Sequence, residues 1–272
     1  MWLSIKKYIK SFILKDPASK DIIPRSVTFY GGITPISETR AEDVFIVGFP
    51  KSGNTLMQHI LAHLYFGFNE QTNRTLINMA TSDVYASSHY HRFDAVSFFK
   101  SHELPQPSYQ RVIYILRDGR EALLSYYHML QNMGKPIDLN ALYAGDVKLF
   151  GALWHEHIDQ WEANPYQADI LFVKYEDLLE NKIKELERIC AFLNIERSTE
   201  ALEKVADLSS LEHMKFLEKQ EDWKAMKSGK FKSGKNFVRK GSKNSYLEEV
   251  DPKLIKTFEA MSQATLKKHK YT

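Results

Sequence analysis

Short apolar runs alternate with amphipathic helical patterns along most of this chain. Three runs rich in β-branched residues are continuously apolar, which predicts strands buried on both faces. These runs and the helical stretches that follow them cover residues 43–49, 54–66, 111–117, 119–130, 169–175 and 176–194. The alternation predicts a three-layer α/β fold in which a central, mostly parallel sheet is flanked by helices. In such a fold the ligand binds beyond the carboxyl ends of the strands.

The remaining segments carry weaker patterns. Residues 95–102 predict a fourth strand, and residues 251–269 predict a final helix. Residues 215–243 are rich in lysine and contain three glycines, which predicts a mobile loop.

An N-terminal amphipathic segment, residues 1–30, precedes a single predicted domain at residues 31–272. Within residues 2–15, apolar side chains recur at helical spacing between lysines. Such a helix either lies on an anionic membrane surface or packs on its own domain, and the pattern leaves both open. No apolar run is long enough to span a membrane. We therefore expect a cytoplasmic protein, either free or peripheral at a membrane.

Composition limits the classes of partner and the kinds of site that the chain can have. The net charge of +3 over 272 residues argues against a nucleic-acid partner and suits a small anionic ligand. Cys190 is the single cysteine, so an internal disulfide cannot form. The histidine pairs His59/His63, His89/His91 and His155/His157 lack a third ligand at a recognised spacing, so we predict no metal site.

The stretch FIVGFPKSGNT, residues 45–55, has the outline of a phosphate-binding loop with a displaced lysine. Gly48 and Gly53 have the required spacing, but Asn54 occupies the usual lysine position and Lys51 lies inside the loop. A strand, a loop and a helix N-terminus together favour an anion. A nucleoside triphosphatase needs the lysine at the loop's end. One lysine beside the bridging oxygen suits the transfer of a sulfuryl group, which carries less charge than a phosphoryl group.

This loop resembles the P-K-S/A-G-T/N-T/N-W/L motif of the soluble sulfotransferases that use 3′-phosphoadenosine-5′-phosphosulfate (PAPS). The resemblance implies that Lys51 assists the leaving group. It also implies that the 5′-phosphosulfate is held by Lys51, Ser52, Gly53, Asn54, Thr55 and Leu56. A second stretch, residues 114–128, is similar to the family's 3′-phosphate motif, which assigns that phosphate to Arg117 and Ser125.

Further motifs extend the resemblance over residues 43 to about 265. FFKSHELP, residues 98–105, resembles the family's K-T/S-H-L/F-P element, with Glu103 inserted. This implies that His102 is the general base and that Lys100 steadies the sulfuryl oxygens. Tyr175 of the Y-E-D stretch is implied to lie near the adenine.

Two last motifs complete the implied donor site. Ser209, Ser210 and Leu211 match an adenine-contacting segment, although Leu211 and Leu56 replace the usual aromatic residues. The F-x-R-K-G element is implied to wrap the 3′-phosphate, through Val238, Arg239, Lys240 and Gly241.

The resemblance implies a transferase that moves a sulfuryl group in line from PAPS to an acceptor hydroxyl or amine, releasing 3′,5′-bisphosphoadenosine (PAP) without a metal. The alternatives are a P-loop nucleotide kinase and a non-catalytic nucleotide-binding module. The acceptor is expected to be a small molecule, a lipid or a carbohydrate. We expect residues 68–100 and 128–150 to line its site, with the aromatic residues Tyr85, Tyr90, Phe93, Phe98, Phe99, Tyr127 and Tyr143.

Overall fold

The computed structural model describes residues 33–70, 72–92, 96–135, 137–220 and 244–272, with the side chains of 219 and 220 excepted. The strands within these ranges are β1 (Ile33–Pro35), β2 (Val44–Val47), β3 (Thr81–Asp83), β4 (His89–His91), β5 (Phe98–Ser101), β6 (Arg111–Leu116) and β7 (Asp169–Lys174). The helices are α1 (Asn54–Leu64), α2 (Arg74–Ala80), α3 (Gly119–Asn132), α4 (Leu139–Ala144), α5 (Trp154–Ala163), α6 (Tyr175–Glu180), α7 (Lys182–Leu193), α8 (Thr199–Leu208), α9 (Leu211–Gln220), α10 (Tyr246–Glu249) and α11 (Pro252–Lys268).

Five strands form one parallel sheet in the order β3, β5, β2, β6, β7. The central strand β2 pairs with β5 on one side and with β6 on the other, and Val44 is opposite both Phe98 and Arg111. Strands β1 and β4 form a separate antiparallel pair. The predicted parallel sheet flanked by helices is therefore confirmed.

The two faces of the sheet contribute to different cores. Phe45 and Val47 of β2 pack into a cluster with α3, α5 and α11, in which Trp154 and Phe258 are fully buried. Val44 and Ile46 face the opposite cluster, formed with α1, α7 and α8. Because successive side chains of a strand point to opposite faces, one continuously apolar strand serves both layers.

Several boundaries differ from the sequence expectations. The helix predicted over residues 176–194 divides at Asn181, whose φ of −127° and ψ of 42° leave the helical region. The first part of the predicted lysine-rich loop is helical, since residues 215–220 belong to α9. The rest of that loop and the N-terminal amphipathic segment lie outside the described residues. Across the described ranges, no helix combines the length and apolarity needed to cross a bilayer.

Candidate functional site

The site lies where four parallel strands end at one edge of the sheet. Gly48 follows β2, His102 follows β5, Arg117 follows β6 and Tyr175 follows β7. Parallel strands bring their carboxyl ends together, so residues far apart in sequence meet here.

The loop between β2 and α1 is held against its neighbours at two glycines. A Cβ at Gly53 would lie 2.6 Å from Cδ2 of Tyr175, and the φ of Gly53 is +118°. A Cβ at Gly48 would lie 2.8 Å from the carbonyl oxygen of Ile115. Lys51 also adopts a left-handed φ of 70°, which is uncommon for a residue with a side chain. The loop is therefore built for close approach and tolerates no bulk at either glycine.

Two buried side chains at the start of α1 carry unsatisfied polar atoms. Ser52 is 1% exposed, and its Oγ has no hydrogen-bond partner among the described residues. Asn54 donates from Nδ2 to the carbonyl oxygen of Ser101 at 3.0 Å, while its Oδ1 has no partner in the same part of the chain. Buried polar groups are rarely left without a partner. A free hydroxyl at a helix N-terminus fits the anionic end of a phosphosulfate.

Arg117 contacts both the loop and the first residue of α6. Its Nη1 donates to the carbonyl oxygen of Lys51 at 2.8 Å, and its guanidinium carbon lies 4.4 Å from the ring centroid of Tyr175. Glu121 lies 3.8 Å from Nη2. The structure thus brings together Arg117, the loop and Tyr175. Ser125 lies further along α3 and is partly exposed.

His102 is linked directly to the loop. Its Nδ1 is 2.7 Å from the carbonyl oxygen of Gly48. A carbonyl oxygen can only accept, so Nδ1 carries the hydrogen and Nε2 has the lone pair of the neutral ring. Burial, and after it the positive charge of Lys100, lower the pKa of His102 to about 3. The imidazole is therefore neutral near pH 7 and able to accept a proton at Nε2.

Lys100 has an acidic partner that the sequence did not reveal. Its Nζ lies 2.9 Å from Oδ2 of Asp83, which is directly opposite on β3. Burial alone would raise the pKa of Asp83, but Lys100 and the backbone N–H of Tyr85 lower it below its ordinary value. The ammonium of Lys100 is thereby held in place beside His102.

A buried histidine forms a hydrogen bond with the backbone of His102. Nε2 of His157 donates to the carbonyl oxygen of His102 at 3.0 Å, so its Nδ1 accepts from the hydroxyl of Tyr114 at 2.7 Å. His157 is 0% exposed, and burial lowers its pKa to about 4. No sequence motif identified this residue, because it acts across 55 positions.

The segment implied to contact adenine lies at the junction of α8 and α9. Ser209 is buried, and its hydroxyl donates to the carbonyl oxygen of Val205 at 2.7 Å. The Oγ of Ser210 accepts from the backbone N–H of His213 at 3.1 Å, and Leu211 begins α9. Met214 of α9 shares a core cluster with Leu56 of α1. Val238, Arg239, Lys240 and Gly241 lie outside the described residues.

Most aromatic residues expected around the acceptor belong to the core instead. Those that the two layers bury are Tyr90, Phe98, Phe99 and Tyr143. The expectation that they line a site is wrong, since they expose almost no surface. Tyr85 is 46% exposed beside His102, and Phe150, which the sequence did not single out, lies 5.1 Å from His102 between ring centroids. Tyr127 is half-buried, and Phe93 lies outside the described residues.

Comparison with known proteins identifies the family. The model of the Sulfotransferase domain matches residues 41–270. The chain belongs to the sulfotransferase domain family. This sulfotransferase is 26% identical over 255 residues to an amine sulfotransferase of Oryctolagus cuniculus, covering 85% of its own chain and 82% of the relative. It is 26% identical over 267 residues to cytosolic sulfotransferase 1 of Danio rerio, with 85% and 86% covered.

Solved structures show the same fold. Retinol dehydratase in complex with androsterone and PAP has a TM-score of 0.69 and 19% identity to this sulfotransferase, covering 85% of its chain and 82% of the neighbour. Mouse sulfotransferase SULT7A1 with PAP has a TM-score of 0.61 and 21% identity, with 84% and 85% covered.

This sulfotransferase is an enzyme that uses PAPS as donor and releases PAP. The kinase and the non-catalytic module gain no support.

Proposed function

We propose that the loop from Lys51 to Leu56 holds the 5′-phosphosulfate of PAPS and that Arg117 holds its 3′-phosphate. Two features support the first assignment: the hydroxyl of Ser52, which has no hydrogen-bond partner among the described residues, and the first backbone N–H groups of α1. The planar fork of Arg117 suits a phosphate, and its bond to Lys51 joins the two ends of the donor site. Ser125 and residues 238–241 complete the 3′-phosphate site in this proposal.

Tyr175 and the segment Ser209, Ser210 and Leu211 enclose the adenine in the same proposal. Tyr175 stands beside Arg117, and Met214, three residues after Leu211, belongs to the same core cluster as Leu56 of α1. The hydroxyl of Ser209 already donates within α8, so it is left to serve the base as an acceptor only.

His102 is the proposed general base. The observation that carries this assignment is the 2.7 Å bond from its Nδ1 to Gly48, because it fixes the tautomer and ties the base to the donor loop. PAPS supplies the sulfuryl group when bound. Nε2 of His102 takes the proton of the acceptor, while Lys51 and Lys100 offset negative charge at the oxygens of the leaving group and the sulfuryl group. Alignment of the two substrates supplies much of the rate.

We further propose that the acceptor is an apolar alcohol that binds beside Tyr85 and Phe150. Both rings are exposed next to His102, and the related fold of retinol dehydratase holds androsterone or retinol. A lipid with this chemistry falls within the proposal, and a carbohydrate has no comparable support. We place the enzyme in the cytoplasm, where residues 2–15 would contact a membrane that carries such an acceptor.

Transfer of radiolabelled sulfate from PAPS to pooled acceptors tests the assignment. His102→Ala should abolish transfer while calorimetry still detects PAP binding, because the base is not part of the nucleotide site. The matched control is His89→Ala, which removes an exposed histidine on β4. Transfer by the His102 variant at the wild-type rate would remove His102 from its role. Failure of the wild-type protein to bind PAP would remove the assigned donor site.

A further inference from the structure

Glu103, the residue inserted into the K-S-H-L-P region, completes a hydrogen-bonded chain that ends at His102. The hydroxyl of Tyr85 accepts from the backbone N–H of His102 at 3.0 Å and donates to Oε1 of Glu103 at 3.0 Å. The roles are fixed, because an N–H only donates and a carboxylate only accepts. Trp161 donates to the carbonyl oxygen of Glu103 at 3.1 Å, so the backbone beside the pair is also held.

The rings of Tyr85 and His102 are nearly parallel, with an interplanar angle of 9° and 6.1 Å between centroids. Phe150 contacts both, at 5.0 Å from Tyr85 and 5.1 Å from His102. Burial raises the pKa of Tyr85, and the nearby charge of Glu103 adds to the rise, so the hydroxyl keeps its proton. The tyrosine hydroxyl therefore remains a donor throughout the physiological range.

His102 is thus held at three separate atoms. Its ring Nδ1 is bound to Gly48 and its carbonyl oxygen to His157, while its backbone N–H is bound by the Tyr85 hydroxyl. The first two contacts fix the tautomer and one side of the backbone. Only the third depends on the inserted residue.

We propose that Tyr85 and Glu103 form a positioning pair that fixes the backbone of His102 and keeps its ring in a dry environment during sulfuryl transfer. This inference rests on the proposed role of His102 as general base. Neither residue touches the reacting atoms in this proposal. The carboxylate acts through the tyrosine hydroxyl, whose accepting power rises when it donates to a charged group.

Three substitutions isolate the pair. Tyr85→Phe keeps the ring and removes the hydroxyl, and Glu103→Ala removes the carboxylate. Each should lower kcat by about five- to tenfold, with donor KM and PAP affinity unchanged. Glu103→Gln retains an oxygen that accepts from Tyr85 and should recover most of the lost rate. The double variant Tyr85→Phe with Glu103→Ala should lose little more than either single variant, because both break one chain. The matched control is Tyr166→Phe, a surface tyrosine.

The pH profile separates positioning from a purely structural role. Burial is the largest cause of the lowered pKa of His102. Water that reaches a loosened His102 ring reduces the effect of burial and raises its pKa. The acidic limb of kcat/KM should therefore move to higher pH in Tyr85→Phe and Glu103→Ala. If the acidic limb does not move in either variant, or if kcat per folded protein is unchanged, the proposed positioning pair is refuted. Full transfer by His102→Ala would instead refute the base assignment itself, so the two failures are distinguishable.

Discussion

Replacing His157 should remove part of the enzyme's sensitivity to acid. Burial lowers the pKa of this side chain from its ordinary 6.5 to about 4, although its bond to the carbonyl oxygen of His102 opposes the shift. Between these two values the unfolded chain binds more protons than the folded chain, so stability falls as pH decreases. At about pH 5 the single residue lowers the free energy of unfolding by about 2 kcal/mol relative to about pH 7.5.

The test compares the wild type with His157→Gln by urea unfolding at both pH values. Glutamine can still donate towards His102 and accept from Tyr114, so the variant should fold. The loss of free energy between about pH 7.5 and about pH 5 should be smaller in the variant by about 2 kcal/mol. His89→Gln provides the same substitution on the surface. If His157→Gln and the wild type lose equal stability, burial does not control the titration of this residue.

Three further substitutions probe the donor loop and Arg117, which contacts it. Gly53→Ala should lower the free energy of unfolding by about 1–3 kcal/mol more than Gly67→Ala, because both glycines have positive φ but only a Cβ at Gly53 would meet Tyr175. Urea unfolding measures the difference, and equal losses would contradict the contact. Asn54→Ala should cost about 1–3 kcal/mol in the same assay, because its bond to the end of β5 is buried; a neutral effect would show that the bond is dispensable. Arg117→Lys should weaken PAP binding about tenfold, because lysine lacks the planar guanidinium that binds two phosphate oxygens and stacks on Tyr175. Calorimetry measures the affinity, and an unchanged value would exclude Arg117 from the site.

The central strands could be predicted from sequence because their whole surface is apolar. All four residues of β2 are buried, and their composition alone identifies a strand covered on both faces. The edge strand β3 reads Thr-Ser-Asp and carries no such pattern. It becomes a strand only because β5 offers an open edge for pairing. Tertiary contacts, rather than local preference, therefore define the margin of the sheet.

The donor loop could be predicted because its chemistry is local. The two glycines, Lys51 and the residues that begin α1 are consecutive in sequence, so their types and spacing describe one object. The partners of Lys100 and His102 are not local. Asp83 and Tyr85 each reach across 17 positions, and nothing in a single sequence marks such a pair.

The expected acceptor aromatics show why composition alone misleads. Phe98 and Phe99 are adjacent on β5 and point to opposite faces, which in an ordinary half-exposed sheet would leave one of them open. Here helices cover both faces, so each phenylalanine enters a different core. Residue type correctly predicts that these side chains are apolar. Whether they contact a ligand or pack in the core depends on whether helices cover both faces of the sheet.

The low pKa of His102 implies that donor binding and proton transfer are coupled. A general base works best when its pKa is near the working pH, and a value of about 3 is well below that range. Lys100 helps to lower it, while the carboxylate of Asp83 opposes the shift. A bound nucleotide adds negative charge to the same edge of the sheet, and a nearby anion raises the pKa of a histidine. On the proposed assignment, His102 is therefore a weak base in the free enzyme and a stronger one once the donor is bound.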